Sequence, residues 1–164
     1  MKEEWRPIDG FDAYIISTHG RVRSGYSNSE IIQRRNQTGV VSVWLSQDGA
    51  RYARSLPLLV ARHWLPEPER EDFTTPIHLD GNRQNCRVDN LLWRPRWFAI
   101  AFHRERLEDP FADWRDPIEI IETGEIFTNP RELSMVYGNL EKDIYFSIVN
   151  EKHIFPQWFH ARWA

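Results

Sequence analysis

The run PIHLDGNRQNCRVDNLLW, residues 76–93, gathers His78, Asp80, Asn82, Cys86 and Asn90 along a short stretch of chain. Arginines surround it: the sequence has eighteen Arg against three Lys. A guanidinium is a planar fork suited to phosphates and base edges, although an arginine excess also arises from genome composition. Arg21 and Arg23, two apart on a strand, point to one side. Arg34, Arg35, Arg51 and Arg54 could extend a basic face, and Arg83, Arg87, Arg94 and Arg96 flank the run. Solvated strand-edge charge is the plainer account of such scattered arginines. Cys86 is the sole cysteine, which excludes an internal disulfide and a multi-cysteine zinc ribbon. Asp80 and Asn82 belong to a turn, where their side chains cap backbone groups. His63 reads as a packed helix residue and His19 as a turn residue.

These side chains need elements to hold them. Residues 5–24 read as short strands joined by turns at Asp9-Gly10 and His19-Gly20. VVSVWLS, residues 40–46, alternates apolar and polar residues and runs into Gln47-Asp48-Gly49, the signal of a hairpin closing on Arg51–Ser55. LPLLVARHWL, residues 56–65, has helical spacing with Pro57 in its first turn, and Pro66 and Pro68 end it. PEPERED, residues 66–72, is an exposed loop. Then come a strand at PIHL, a turn, a polar loop, a strand from Asn90 to Trp93 and a helix over about 95–107. Residues 108–117 read as a linker. The tail from 118 is a strand, a Thr123-Gly124 turn, a short strand, helices over about 130–137 and 141–149 around Gly138-Asn139, and a closing aromatic strand. The class is α+β.

Length and composition narrow the field. At 164 residues the chain holds one ordinary domain or a few small units. Hydrophobic residues at 41% and charged ones at 27% are those of a soluble globular protein, and no apolar run approaches a bilayer span. MKEEWRPIDG lacks the basic and apolar regions of a signal peptide, so the expected location is cytoplasmic. The net charge of −3 hides an asymmetry. Residues 1–106 carry sixteen Lys and Arg against thirteen Asp and Glu, whereas residues 107–164 carry five against eleven. The two parts should attract different partners.

Several motifs together carry a resemblance. Trp5, Ile8, Gly10, Phe11, Tyr14, Ile16, Ser17 and Gly20 to Ser24 resemble the pattern of the nuclease-associated modular (NUMOD-type) domain. Residues 59–93 resemble the HNH (ββα-metal) core of phage and intron-encoded homing endonucleases, where an L-V-A helix precedes D-H-x-D-G-N, a loop and N-L-x-W. Residues 118–164 are similar to the strand and helix-turn-helix unit that closes those proteins. The resemblance implies a NUMOD-type β unit at 1–55, an HNH module at 56–107, a linker at 108–117 and an acidic helix-turn-helix unit at 118–164. It also implies double-stranded DNA as partner, with Arg21, Arg23, Arg34, Arg35, Arg51, Arg54, Arg83, Arg87, Arg94 and Arg96 as its contacts, and, for a phage-encoded chain, the cytoplasm of a bacterial host.

Function carries over residue by residue. In the family the His of the D-H pair is the general base that takes a proton from the water attacking a phosphodiester, which makes His78 the implied base. Asn90 is the implied residue fixing the loop that orients it. The Asp before that His binds a divalent metal, Mg²⁺ or Mn²⁺, and this chain has Ile77 there. The second ligand, an Asn or His six residues past the Trp of N-L-x-W, is Ala99 here. An alkyl side chain cannot coordinate a hard cation. His103, one helical turn beyond Ala99, and Asp80 are the remaining candidate ligands. In the tail, the second helix opens Glu141-Lys142-Asp143 rather than with the Arg, Lys, Asn or Gln of a base-reading helix. It either docks on the rest of the chain or binds a protein partner, and Phe155, Trp158, Phe159 and Trp163 read as core. Three functions follow: a DNA-binding protein with a degenerate metal site and no cofactor, an active HNH endonuclease using Mg²⁺ or Mn²⁺, or a phage-encoded module acting on a host protein. The missing ligands favour the first.

Overall fold

The computed structural model describes residues 2–108 and 116–164, so residues 109–115 of the expected linker lie outside the described residues. The fold is α+β, with four helices and small antiparallel sheets among the described residues. The chain divides into two compact units, residues 1–78 with 82–96, and residues 79–81 with 97–164. Among the described residues no helix is long and apolar enough to cross a membrane.

In the first unit β1 (Trp5–Ile8), β2 (Phe11–Ser17) and β3 (Val22–Ser24) form one sheet, and β4 (Gln33–Arg35), β5 (Val41–Gln47) and β6 (Ala50–Ser55) another. On β5 the alternation read in the sequence is realised: Val41, Val43 and Leu45 are buried while Trp44 is open to solvent. Asp48 and Gly49 both take positive φ, 51° and 77°, as a two-residue hairpin of this hand requires, and so set Gln47 opposite Ala50. β4 has no such signal in the sequence. It is exposed throughout and exists because its backbone pairs with β5.

α1 (Leu56–Trp64) starts with Pro57 in its first turn and buries Leu56, Leu59 and Val60. These join Ile8, Phe11, Ile16, Val22, Cys86 and Leu91 in one core. Each such Leu or Ile contributes on the order of 1.5–3 kcal/mol by burial. Residues 1–55 therefore share a core with α1, with Cys86 and with Leu91 of β8 (Leu91–Arg94), the strand that pairs with β7 (Thr75–His78). His63 Nδ1 donates to Leu59 O at 2.7 Å, and its Nε2 accepts the Asp9 N–H at 3.0 Å, which settles it as a structural residue.

The second unit holds α2 (Arg96–Glu108) from Trp97 onward, β9 (Ile118–Ile120), β10 (Ile126–Phe127), α3 (Pro130–Tyr137), α4 (Glu141–Asn150) and β11 (Ala161–Trp163), with sheet order β10-β9-β11. Its core is Ile118, Ile120, Phe127, Leu133, Ile144, Ile154 and Phe159. On α2, Phe98 stacks on Phe102 with centroids 6.3 Å apart and meets Phe155 at 5.8 Å. α3 opens with a capping box: Asn129 Oδ1 accepts the Glu132 N–H, and Glu132 Oε2 accepts the Thr128 N–H. Gly138 ends it at φ 64°. The Leu140 preceding α4 has no side-chain oxygen, and the cap comes instead from Glu105 on α2, whose Oε2 accepts the Glu141 N–H at 3.0 Å. Burial pushes the Glu105 carboxyl above its usual range. One expectation is corrected here. Phe159 is core, but Trp158 is 60% and Trp163 38% exposed.

Candidate nucleic-acid interface around His78

β7 and β8 pair from Thr75↔Arg94 to His78↔Leu91, so His78 stands at the open end of the hairpin, where the 79–90 loop begins. The loop is tied to itself: Asn82 Oδ1 accepts the Gln84 N–H at 3.1 Å, and the Asn85 N–H reaches Asn82 O at 2.9 Å. A 3-10 turn over Val88–Asn90 buries Asn90, whose Nδ2 donates to Asn85 O at 2.9 Å and so ties the end of the loop to its middle. The loop is also anchored to the N-terminal strands, with the Val88 N–H on Thr18 O at 2.9 Å and Arg83 Nη1 on Thr38 O at 2.6 Å.

His78 is 4% exposed, and its Nε2 lies 3.9 Å from the buried Cys86 Sγ. Sequence reasoning gave Cys86 no part in this surrounding. The signal was present in its place at the centre of the polar loop. A general base must reach the proton it abstracts, directly or through one water, so the enclosure of this imidazole leaves it little access.

The positions at which the resemblance puts metal ligands are apolar and packed: Ile77 is 0% and Ala99 3% exposed. Neither offers an oxygen or nitrogen donor. Asp80 is exposed at the turn, and His103 is 8% exposed on α2. Among the described residues no group of three or more His, Cys, Asp or Glu side chains could hold a metal ion. The two positions that carry the ligands in the family pattern therefore offer nothing to a divalent cation.

The arginines divide sharply. Register places Arg34 opposite Ser42 and Arg51 opposite Ser46, so both share the outer face of β5 with Trp44, while Arg35 and Arg54 oppose Val41 and Val43 on the other face. Arg34, Arg51, Trp44, Tyr14, Ile32 and Glu30 line an open groove of about 490 Å³. Arg54 lies over Phe11 and Tyr52 at 5.1 and 5.0 Å. Arg21 and Arg23 do fall on one side, both over the Trp5 ring, but Arg21 is held by Glu3 in a two-pronged pair. Arg87 pairs with Asp89 at 2.7 Å, and Arg96 is exposed. Arg94 is corrected: at 4% exposure it is no phosphate ligand, because it donates to Trp93 O and lies over Phe73. Burial lowers it to about 10, which leaves it charged at neutral pH.

The Arg21 hydrogen bonds hold Glu3 down to about 2 against an ordinary value of 4.5. Because the folded value is the lower one, the pair's contribution is whole above 4.5 and disappears as pH falls towards 2. In Arg21→Gln the Glu3 carboxyl should titrate near 4.5 by NMR, and the acid limb of unfolding should flatten over that interval. A titration unmoved by the substitution would show that the pair does not form in solution.

Comparison with known proteins bears on the fold. A model of the NUMOD4 motif matches residues 3–46. An uncharacterized HNH endonuclease of Acanthamoeba polyphaga mimivirus is 29% identical over 94 residues, 56% of this chain and 23% of its own length. A second from the same virus is 30% identical over 93 residues, 57% of this chain and 27% of its own. The chain thus spans about a quarter of the length of these curated relatives. A solved structure concerned with DNA binding and cleavage by the HNH homing endonuclease I-HmuI matches with a TM-score of 0.55, covering 98% of each chain at 21% identity. The protein is HNH-homing-endonuclease-like, with an N-terminal NUMOD4 motif.

Proposed function

We propose that this protein binds duplex DNA on an HNH frame without metal-dependent cleavage. The observation carrying this reading is the apolar burial of Ile77 and Ala99, which removes both oxygen or nitrogen donors expected beside His78. Without a cation, the charge that builds on a scissile phosphate lacks its main electrostatic support. The enclosure of His78 favours the same conclusion. Arg34 and Arg51 beside Trp44, together with exposed Arg96, supply cations for phosphates. Asp80 and His103 are the donors that an active enzyme, using Mg²⁺ or Mn²⁺, would have to recruit.

Two assays test this. In a salt series with duplex DNA, affinity should fall with a log–log slope of about −0.9 per phosphate contacted. No binding at low salt would remove DNA from the account and favour a protein partner for the acidic second unit. In a plasmid-nicking assay with Mg²⁺ or Mn²⁺ the chain should leave supercoiled DNA intact. Metal-dependent nicking that disappears in His78→Ala would overturn the proposal in favour of an active endonuclease.

A further inference from the structure

We infer that His153 and His160 form a two-imidazole site for a late first-row divalent ion, Zn²⁺ in the first instance. An isolated antiparallel bridge joins Ile154 to Phe159, with the Ile154 N–H on Phe159 O at 2.8 Å. In antiparallel pairing the residues just outside a bridge also face one another, so residues 153 and 160 are directly opposed. Their ring centroids are 3.8 Å apart.

His160 is already oriented in the way that metal-binding imidazoles are. Glu122 Oε1 accepts from its Nδ1 at 2.8 Å, and the same carboxylate accepts the His160 backbone N–H at 2.9 Å. A proton on Nδ1 leaves the Nε2 lone pair outward, and a carboxylate behind a ligating imidazole fixes its tautomer and raises its basicity. His153 is exposed, with its ring between those of His160 at 3.8 Å and Trp158 at 6.2 Å. Two imidazoles with no second carboxylate suit Zn²⁺, Ni²⁺ or Cu²⁺, and offer nothing to Mg²⁺, which wants oxygen. Water completes the coordination, consistent with the lack of any three-donor cluster among the described residues. A bound ion would clip the loop from 153 to 160 shut against the turn after β9. The site owes nothing to DNA binding or to His78.

Isothermal titration of the full chain with Zn²⁺ tests this, with Mg²⁺ as comparison. We expect one Zn²⁺ site that is lost in His153→Ala and in His160→Ala, kept in His78→Ala and His103→Ala, and weakened about 10- to 100-fold in Glu122→Gln. Zn²⁺ should also raise the melting temperature of the natural chain, and His153→Ala should abolish that rise. His153→Ala is the decisive variant, because it removes an exposed ring and leaves the Glu122–His160 hydrogen bonds in place. Zn²⁺ binding that survives it unchanged, disappears in His78→Ala or His103→Ala, or is absent from the natural chain would overturn the inference.

Discussion

Ile77→Asp should destabilise the chain by about 3–5 kcal/mol at neutral pH, the loss that follows when a charge is buried without a partner. The substitution restores the carboxylate that the HNH pattern carries beside its histidine, yet it does so at a side chain with 0% exposure. Burial raises the introduced carboxyl's folded value above the unfolded value of about 3.9. Below that unfolded value both states are protonated, and only the lost apolar packing is felt. As pH rises through the gap the penalty grows by about 1.4 kcal/mol per unit, then levels off. Urea unfolding at several pH values, with and without Mg²⁺, measures this. A cost under about 1 kcal/mol, or full recovery on adding Mg²⁺, would mean that a metal pocket persists behind Ile77, and the non-cleaving reading would fail with it.

Gly20→Ala should cost about 2–5 kcal/mol, from left-handed strain of about 1–2 and overpacking of about 1–3. Gly20 has φ 73°, and an added Cβ would lie 2.7 Å from Cys86 O and 2.9 Å from Cys86 Cβ. Those atoms belong to the loop that surrounds His78, so the N-terminal sheet and the His78 hairpin meet through a contact only glycine permits. Gly10 is an internal control: it has the same φ of 73° with nothing within 4 Å, so Gly10→Ala should show the strain alone. Equal costs for the two substitutions, by denaturant midpoint, would mean that the loop gives way and that the close approach does not position it.

Much of this architecture could be read from residue order because its causes are local. Asp48-Gly49 after an alternating strand sets a hairpin register, and Asn129-Pro130 with Gly138 brackets α3, so those elements fall where the sequence puts them. Other features depend on contacts made far along the chain. Gln33–Arg35 becomes a strand only because β5 presents an edge to it. The strand expected from Asn90 to Trp93 runs one residue further, to Arg94, and there the guanidinium lies over Phe73, which is on a loop with no periodicity to announce it. Arg21 and Arg23 were correctly put on one side, yet nothing in their spacing announces Glu3 as Arg21's counterion. His153 and His160 are separated by six residues, and only the Ile154↔Phe159 bridge brings their rings together. Ile77 and Ala99 differ from all of these. Their chemistry is legible as letters, and the structure adds that both sites are filled with packed hydrocarbon.

The carboxylate that Glu105 lends to α4 has an electrostatic consequence. The start of a helix attracts anions because its first amides point outward unbonded, each with a share of the dipole's positive end. Here Glu105 already takes the Glu141 amide, and Glu141 and Asp143 add two more acids in the first turn. Glu141 is paired with Arg131 at 3.1 Å, and burial pushes Glu105 and Asp143 towards their neutral forms, but the amide that Glu105 occupies is no longer open to a phosphate. α4 begins with that amide already taken from within, and a nucleic acid meeting the second unit would find its welcome on some other surface.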